Sequence, residues 1–251
     1  MDPRRIRLRR RRVGAPVNRV GHTLSGVAAG LWTLPVAPVE GVAGSFVWVA
    51  ATTGFALAPD LDHPGSTAAR MWGPVSRLPA KGIGSVFGHR GATHQLLAVA
   101  VTVAFVWAAT TGRVAALVTE VAARAGHDDP AGLGHAVGHW THLAVVAATV
   151  GLALAAARVP WVMNLTLAWL AAWLVWRLNA PLGWLPWAAG LGVAAHLAGD
   201  AVTVQGLPGR GGQRVGPRLF RTGGPGEAIV CILLTAAIAA YPYRGVLAAY
   251  L

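Results

Sequence analysis

Charged side chains are scarce in this sequence. Only 12% of its 251 residues are charged, whereas 55% are hydrophobic and the mean hydropathy is +0.52. This composition, which includes 11 tryptophans, excludes an ordinary soluble domain. It predicts an integral membrane protein.

Cysteine and several catalytic motifs are also scarce or missing. The single cysteine, Cys231, lies in an apolar run, so a disulfide framework is excluded and the thiol is interpreted as a small buried apolar side chain. The patterns HExxH, GxSxG and Walker A are absent, which argues against zincins, serine hydrolases and P-loop proteins. Neither an internal repeat nor a separate soluble domain is evident.

The N-terminal segment MDPRRIRLRRRRVGAPVNRVGH is rich in arginine. It has no convincing signal-peptide cleavage site, so we expect it to remain in the mature protein. Because apolar runs follow it, we interpret residues 1–21 as a basic cytoplasmic tail that touches anionic lipid. Nucleic-acid binding is the less favoured alternative for such an arginine run.

Seven apolar runs follow the tail and predict the fold class. We expect an all-α, polytopic membrane protein with about six or seven membrane-embedded helices, in which residues 22–251 form a single domain. The first run is short and can pair with the second as a tilted or re-entrant hairpin. The runs cover residues 23–34, 42–58, 95–111, 143–158, 161–178, 184–203 and 227–243.

The distribution of arginine and lysine predicts the orientation in the membrane. We place the N-terminus in the cytoplasm and let successive runs cross the membrane in opposite directions. All but four of the 21 Lys and Arg residues then lie on the cytoplasmic side, as the positive-inside rule requires. Residues 113–142 then form an external amphipathic excursion. The four exceptions are Arg113, Arg124, Arg177 and Arg244.

In this topology a set of histidines and carboxylates gathers at the cytoplasmic ends of the apolar runs. His196 and Asp200 are four residues apart, which places both on one face of a helix, and Thr93 is expected to cap the helix that follows it. Each residue alone is more often structural, but ionisable groups at a membrane segment favour a functional site. We therefore predict a metal site formed by His22, Asp60, Asp62, His89, His94, His196, Asp200 and Glu227.

A second histidine group lies in HAVGHWTH. His135, His139 and His142 have helical spacing and fall on the opposite side of the membrane in the predicted topology. We interpret them as a polar stripe on an interfacial helix and leave them out of the site.

The motifs APDLDHPGS, FGHRGATHQLLA, HLAGDAVTVQGLP and GGPGE resemble, in order and character, those of the YdjM-type family of bacterial inner-membrane metal-dependent hydrolases. The resemblance extends over most of the chain. It implies a helical protein of the bacterial inner membrane, related to zinc-dependent phospholipases C and single-strand nucleases, that holds a cluster of metals. Gln95 stands where relatives commonly have serine, and the chain between His94 and His196 is unusually long.

The combined expectation is a membrane-embedded hydrolase with two or three divalent ions, zinc or manganese, that acts on a phosphoester such as a lipid head group. Arg90 is expected to hold a phosphate oxygen, and Asp62 or Glu227 to orient the attacking water. A salt bridge from Arg90 to Asp60 or Asp62 is the structural alternative.

Three other functions are alternatives to hydrolysis. A membrane di-iron oxidase would need more histidines on one side of the membrane than this chain has. A metal or ion transporter would place ionisable residues near the midplane, whereas here they gather at the ends of the apolar runs. A non-catalytic metal-binding membrane protein is the remaining alternative.

Overall fold

The computed structural model describes residues 19–88, 91–209 and 213–244, and the predicted basic tail lies largely outside them. The chain is mostly helical, with 75% of it in helices, in agreement with the predicted all-α class. The helices are α1 (Arg19–Thr33), α2 (Gly41–Phe55), α3 (Pro74–Phe87), α4 (Leu97–Thr110), α5 (Arg113–Arg124), α6 (Pro130–Ala156), α7 (Trp161–Arg177), α8 (Leu185–Val202) and α9 (Pro225–Ala240). 

Shorter elements join these helices. A small antiparallel hairpin, β1 (Leu207–Pro208) and β2 (Arg214–Val215), follows α8. Single 3-10 turns connect the longer elements, and they lie at Leu34–Val36, Ala58–Asp62, Ala68–Arg70, Ala92–His94 and Tyr241–Tyr243.

Each predicted apolar run corresponds to a helix, but one boundary was wrong. α6 begins at Pro130 rather than near residue 143, because the Asp129 side chain accepts a hydrogen bond from the Gly132 amide and Pro130 occupies the first turn. Residues 130–142 are therefore continuous with an apolar helix. The predicted external excursion is thus reduced to α5 and its flanking turns.

Within the described residues, three helical stretches are long and apolar enough to cross a membrane: Gly41–Asp62, Pro130–Ala156 and Pro225–Tyr243. α4 and α5 meet at a bend of 80° and add a fourth candidate if the pair is one broken span. The chain thus has three to four candidate spans by length and composition. The larger predicted count, six or seven embedded helices, stays a prediction.

Two glycines allow α1 and α8 to approach α2 closely. A Cβ atom on Gly26 of α1 would lie 2.7 Å from Thr53 Cα, and one on Gly192 of α8 would lie 2.4 Å from the Thr52 carbonyl oxygen. Since real Cβ atoms do not approach so closely, only glycine fits at either position. The three helices therefore form a tight group, and the polar residues described below lie at one end of it.

α6 and α7 pack together as a helical hairpin on the other side of α2. A short polar chain is buried in this hairpin: Trp72 Nε1 donates to Asn164 Oδ1 at 3.1 Å, and Asn164 Nδ2 donates to the Gly151 carbonyl at 2.8 Å. Trp72 comes after the turn that carries Asp60 and Asp62 in the sequence. These two hydrogen bonds therefore connect the segment that follows this turn to the hairpin.

Candidate metal centre

Three different parts of the chain bring their polar side chains to the same end of the helix group. Asp60 and Asp62 lie on the 3-10 turn Ala58–Asp62, which continues α2, and His94 ends the 3-10 turn Ala92–His94. His196 and Asp200 lie one turn apart on α8. All five are buried, so their polar atoms must be satisfied by one another or by a bound group.

Three of these residues place one atom each at the corners of a nearly equilateral triangle. His94 Nε2 lies 3.2 Å from His196 Nε2 and 3.4 Å from Asp200 Oδ2, and His196 Nε2 lies 3.5 Å from the same oxygen. In a tetrahedral zinc site with bonds of ~2.1 Å, two ligand atoms are separated by ~3.4 Å. The spacing of the three atoms fits coordination of one ion.

The tautomer of His196 follows from its other ring nitrogen. Nδ1 lies 2.8 Å from the Ala56 carbonyl oxygen, and since a carbonyl can only accept, Nδ1 must carry the proton and donate it. When the imidazole is neutral, Nε2 presents a lone pair towards His94 and Asp200. A hydrogen bond from the outer nitrogen to a backbone carbonyl is typical of metal-binding histidines.

His94 is held from the outside in a similar way. Thr93 Oγ1 donates to Asp62 Oδ2 at 2.6 Å, and His94 Nδ1 lies 3.0 Å from Thr93 Oγ1 and 3.3 Å from Asp62 Oδ2. Since the hydroxyl proton goes to Asp62, His94 Nδ1 is the donor to these oxygens. Its Nε2 is then also left with a lone pair that faces the triangle.

Asp200 joins this triangle to a second group. Its Oδ1 lies 3.8 Å from His22 Nε2, while its Oδ2 belongs to the triangle. The His22 ring stacks on the His196 ring with centroids 3.8 Å apart. His22, His196 and Asp200 offer ligand atoms within 4.8 Å of one another, as do Asp60, His94 and His196.

The donor set fits a cation better than it fits a hydrogen-bonded cluster. Lone pairs of His94 and His196 converge on a carboxylate oxygen, and the buried Asp60 Oδ1, 3.8 Å from His94 Nε2, accepts no hydrogen bond from the described residues. Buried acceptors that face one another repel, so a positive charge between them removes a large cost. Imidazole and carboxylate together are ligands suited to zinc or manganese.

Glu227 lines a pocket next to the triangle. It is buried in the first turn of α9, where its Oε2 accepts a hydrogen bond from the Gly223 amide. The polar lining of the pocket includes His22, Asp200 and Glu227. Glu227 is therefore on the His22 side of the centre, not on the His94 side.

The structure places seven of the eight predicted metal-binding residues in this region, six of them in the cluster and Glu227 on the pocket. The eighth, His89, and the predicted phosphate-binding residue Arg90 lie outside the described residues. Thr93 was assigned wrongly as a helix cap: α4 begins after Leu96, and the Thr93 hydroxyl instead contacts Asp62 and His94. The Ala56 carbonyl was missed altogether, because backbone acceptors leave no signal in the sequence.

Comparison with known proteins agrees with the motifs. Neither a curated protein nor a solved structure matches the chain. The sequence profile of the YdjM inner membrane protein family matches residues 17–151, more than half of the chain, and this stretch includes His22, Asp60, Asp62 and His94. The chain therefore belongs to the YdjM inner membrane protein family.

Proposed function

We propose that this protein is a membrane-bound, metal-dependent hydrolase that cleaves a phosphoester with water. The observation that carries the proposal is the triangle of lone pairs formed by His94, His196 and Asp200, with edges of 3.2 to 3.5 Å. Buried acceptors at this separation repel one another unless a positive charge lies between them, and a divalent ion supplies that charge.

The contacts support two neighbouring ion sites. His94, His196, Asp200 Oδ2 and Asp60 would hold the first ion, since Asp60 Oδ1 accepts no hydrogen bond from the described residues. His22 and Asp200 Oδ1 would hold the second, with Glu227 on the same pocket. Asp200 would then bridge the two through its two oxygens. Zinc is the first choice for such ligands and manganese the second.

Asp62 is best assigned a positioning role. Its Oδ2 contacts the Nδ1 side of His94, and Thr93 donates to the same oxygen. A carboxylate in this position fixes the histidine ring and makes Nε2 a stronger ligand. Of the two residues expected to orient water, Glu227 is then the better candidate, because it lines the pocket.

The chemistry requires few further groups. Divalent ions supply Lewis acidity, which lowers the pKa of water and stabilises charge that develops on a phosphoryl oxygen. Glu227 would orient the water within the pocket. Arg90 would hold a phosphate oxygen by charge-assisted hydrogen bonds.

The proposed setting is the bacterial inner membrane. Residues 22–251 would form one domain with six or seven embedded helices, the N-terminus in the cytoplasm and the metal centre at the cytoplasmic ends. The basic tail would touch anionic lipid, and nucleic acid is not an expected partner. A substrate in the head-group layer suits this position.

Hydrolysis is tested with detergent-purified protein loaded with zinc or manganese and offered soluble p-nitrophenyl phosphate mono- and diesters. Turnover that requires the metal, disappears in Asp200→Asn and persists in His139→Ala is the expected result. If metal binds stoichiometrically but neither these esters nor phospholipids are turned over, the protein is a metal-binding or transport protein and the hydrolase proposal fails.

A further inference from the structure

We propose that the pocket beside the metal centre binds an anionic membrane phospholipid, with the head group at His22, Asp200 and Glu227 and the first part of an acyl chain along α9. This inference rests on the proposed function and names its substrate class. It is carried by the lining of the pocket, the exposure of α9 and the charge of the loop that precedes α9.

The pocket changes from polar to apolar along α9. Its polar end holds His22, Asp200 and Glu227, and its apolar end is lined by Val230, Cys231 and Leu234. Residues 227, 230, 231 and 234 have the spacing of one helical face. The pocket is therefore amphipathic, as a site for a head group and the start of an acyl chain must be.

The apolar end is next to a helix surface that is available to lipid. The stretch Pro225–Tyr243 is a candidate membrane span, and only 6% of its apolar 18-residue segment is buried. α9 packs on α1 and is fastened at its far end, where Trp32 Nε1 donates to the Ala237 carbonyl and the Trp32 ring contacts Tyr241 edge-on. The pocket lies between the same two helices at the other end. An acyl chain can therefore extend from the pocket into the bilayer alongside α9.

The loop beside the polar end favours an anionic ligand. Residues 213–224 contain three arginines, Arg214, Arg218 and Arg221, and no acidic residue. The same loop contributes Phe220 and Thr222 to the pocket lining. Thr222 Oγ1 is buried and has no hydrogen-bond partner among the described residues, so it is a donor available to a phosphate oxygen. Positive charge at this boundary selects phosphatidylglycerol-like lipids over zwitterionic ones.

The single cysteine provides a direct probe, because Cys231 lines the apolar end of the pocket. The labelling rate with N-ethylmaleimide would be compared in nanodiscs of phosphatidylcholine alone and of phosphatidylcholine with phosphatidylglycerol. Occupation of the pocket should slow labelling of Cys231 by roughly fivefold or more when phosphatidylglycerol is present. The matched control is Cys231→Ala/Ile232→Cys, whose thiol lies on the exposed neighbouring face and should label at the same rate in both.

Two variants separate pocket binding from general lipid effects. Leu234→Trp fills the apolar end and should abolish the protection by phosphatidylglycerol while metal content stays unchanged. Leu233→Trp, on the exposed face, should preserve the protection. Equal slowing of the control thiol, or equal protection by water-soluble glycerol phosphate, would overturn the lipid assignment. A protein that shows lipid protection but binds no metal would instead refute the proposed hydrolase, so the two failures are distinguishable.

Discussion

The pair His196 and Asp200 and the pair His135 and His139 are each four residues apart on a helix, but the two pairs lie in opposite environments. His94 and His196 are fully buried, and the triangle that they form is completed by Asp200. His135 is exposed and His139 is half-buried on α6. The rings of His135 and His139 stack at 6.5 Å, and the edge of His139 contacts Trp176 at 4.7 Å.

The difference teaches that carboxylates and burial, not helical spacing, distinguish a metal centre from a polar stripe. Among the described residues, none of His135, His139 and His142 forms an ion pair with a carboxylate, and no group of potential ligands includes them. His139 instead contacts the rings of Trp140 and Trp176. The predictions below test whether the two groups differ in function as they differ in surroundings.

The largest effect is expected at Asp200, the carboxylate proposed to contribute to both ion sites. Asp200→Asn keeps the shape of the side chain but removes its charge, so metal affinity should fall by more than the ~10–100-fold typical of an outer-shell change. Titration calorimetry with zinc measures this. His135→Gln is the matched change in the histidine group on α6 and should leave the zinc affinity unaltered. Equal losses of zinc affinity in the two variants would contradict the proposed difference between the two groups.

A smaller loss is expected where the ligand is only positioned. Thr93→Val removes the hydroxyl that donates to Asp62 and contacts His94 Nδ1, and it should weaken zinc binding by about tenfold because the His94 ring is less well fixed. The same calorimetric titration applies. Thr93→Ser should restore the affinity, and a Thr93→Val protein with wild-type affinity would show that the contact does not support the site.

A change in the α6–α7 hairpin should affect stability but not metal. Asn164→Leu leaves the Trp72 indole N–H without its partner and removes the extra hydrogen bond to the Gly151 carbonyl, and the unsatisfied indole N–H costs about 1–3 kcal/mol. Thermal unfolding of the purified protein should move to lower temperature while the number of bound ions stays constant. Thr166→Leu, exposed on the same helix, is the control; a loss of metal in Asn164→Leu would link the hairpin to the centre.

The smallest effect is expected for His139. His139→Ala removes the edge contact with the Trp176 ring, a loss of about 0.5–1.5 kcal/mol in stability. Metal content and phosphoester turnover should remain those of the wild type. Unfolding and elemental analysis of the same sample check both, and a variant that has lost an ion would contradict the interpretation of the stripe.

The sequence indicated much of this arrangement because hydropathy and helical spacing are local properties. Apolar runs located the helices, and the four-residue separation of His196 and Asp200 placed both on one face of α8. The start of α6 was missed because histidines interrupt the hydropathy while Asp129 and Pro130 still begin a helix. The capping residues, rather than the hydropathy, therefore determine where α6 begins.

Contacts between distant parts of the chain were less accessible to sequence reasoning. Ala56 fixes the tautomer of His196 through a backbone oxygen, 140 positions away, and no residue type reports such a contact. Thr93 has the sequence position of a cap, but the fold of the 3-10 turn directs its hydroxyl to Asp62. Both depend on tertiary packing, which periodicity does not encode.

The central claim is tested most directly by elemental analysis of purified protein after reconstitution with zinc or manganese. Wild type would be compared with Asp60→Ala/His196→Ala and with His135→Ala/His139→Ala. The account predicts two or more bound ions in wild type, their loss in the first double variant and their retention in the second. Absence of metal from wild type, or full retention in Asp60→Ala/His196→Ala, would contradict it.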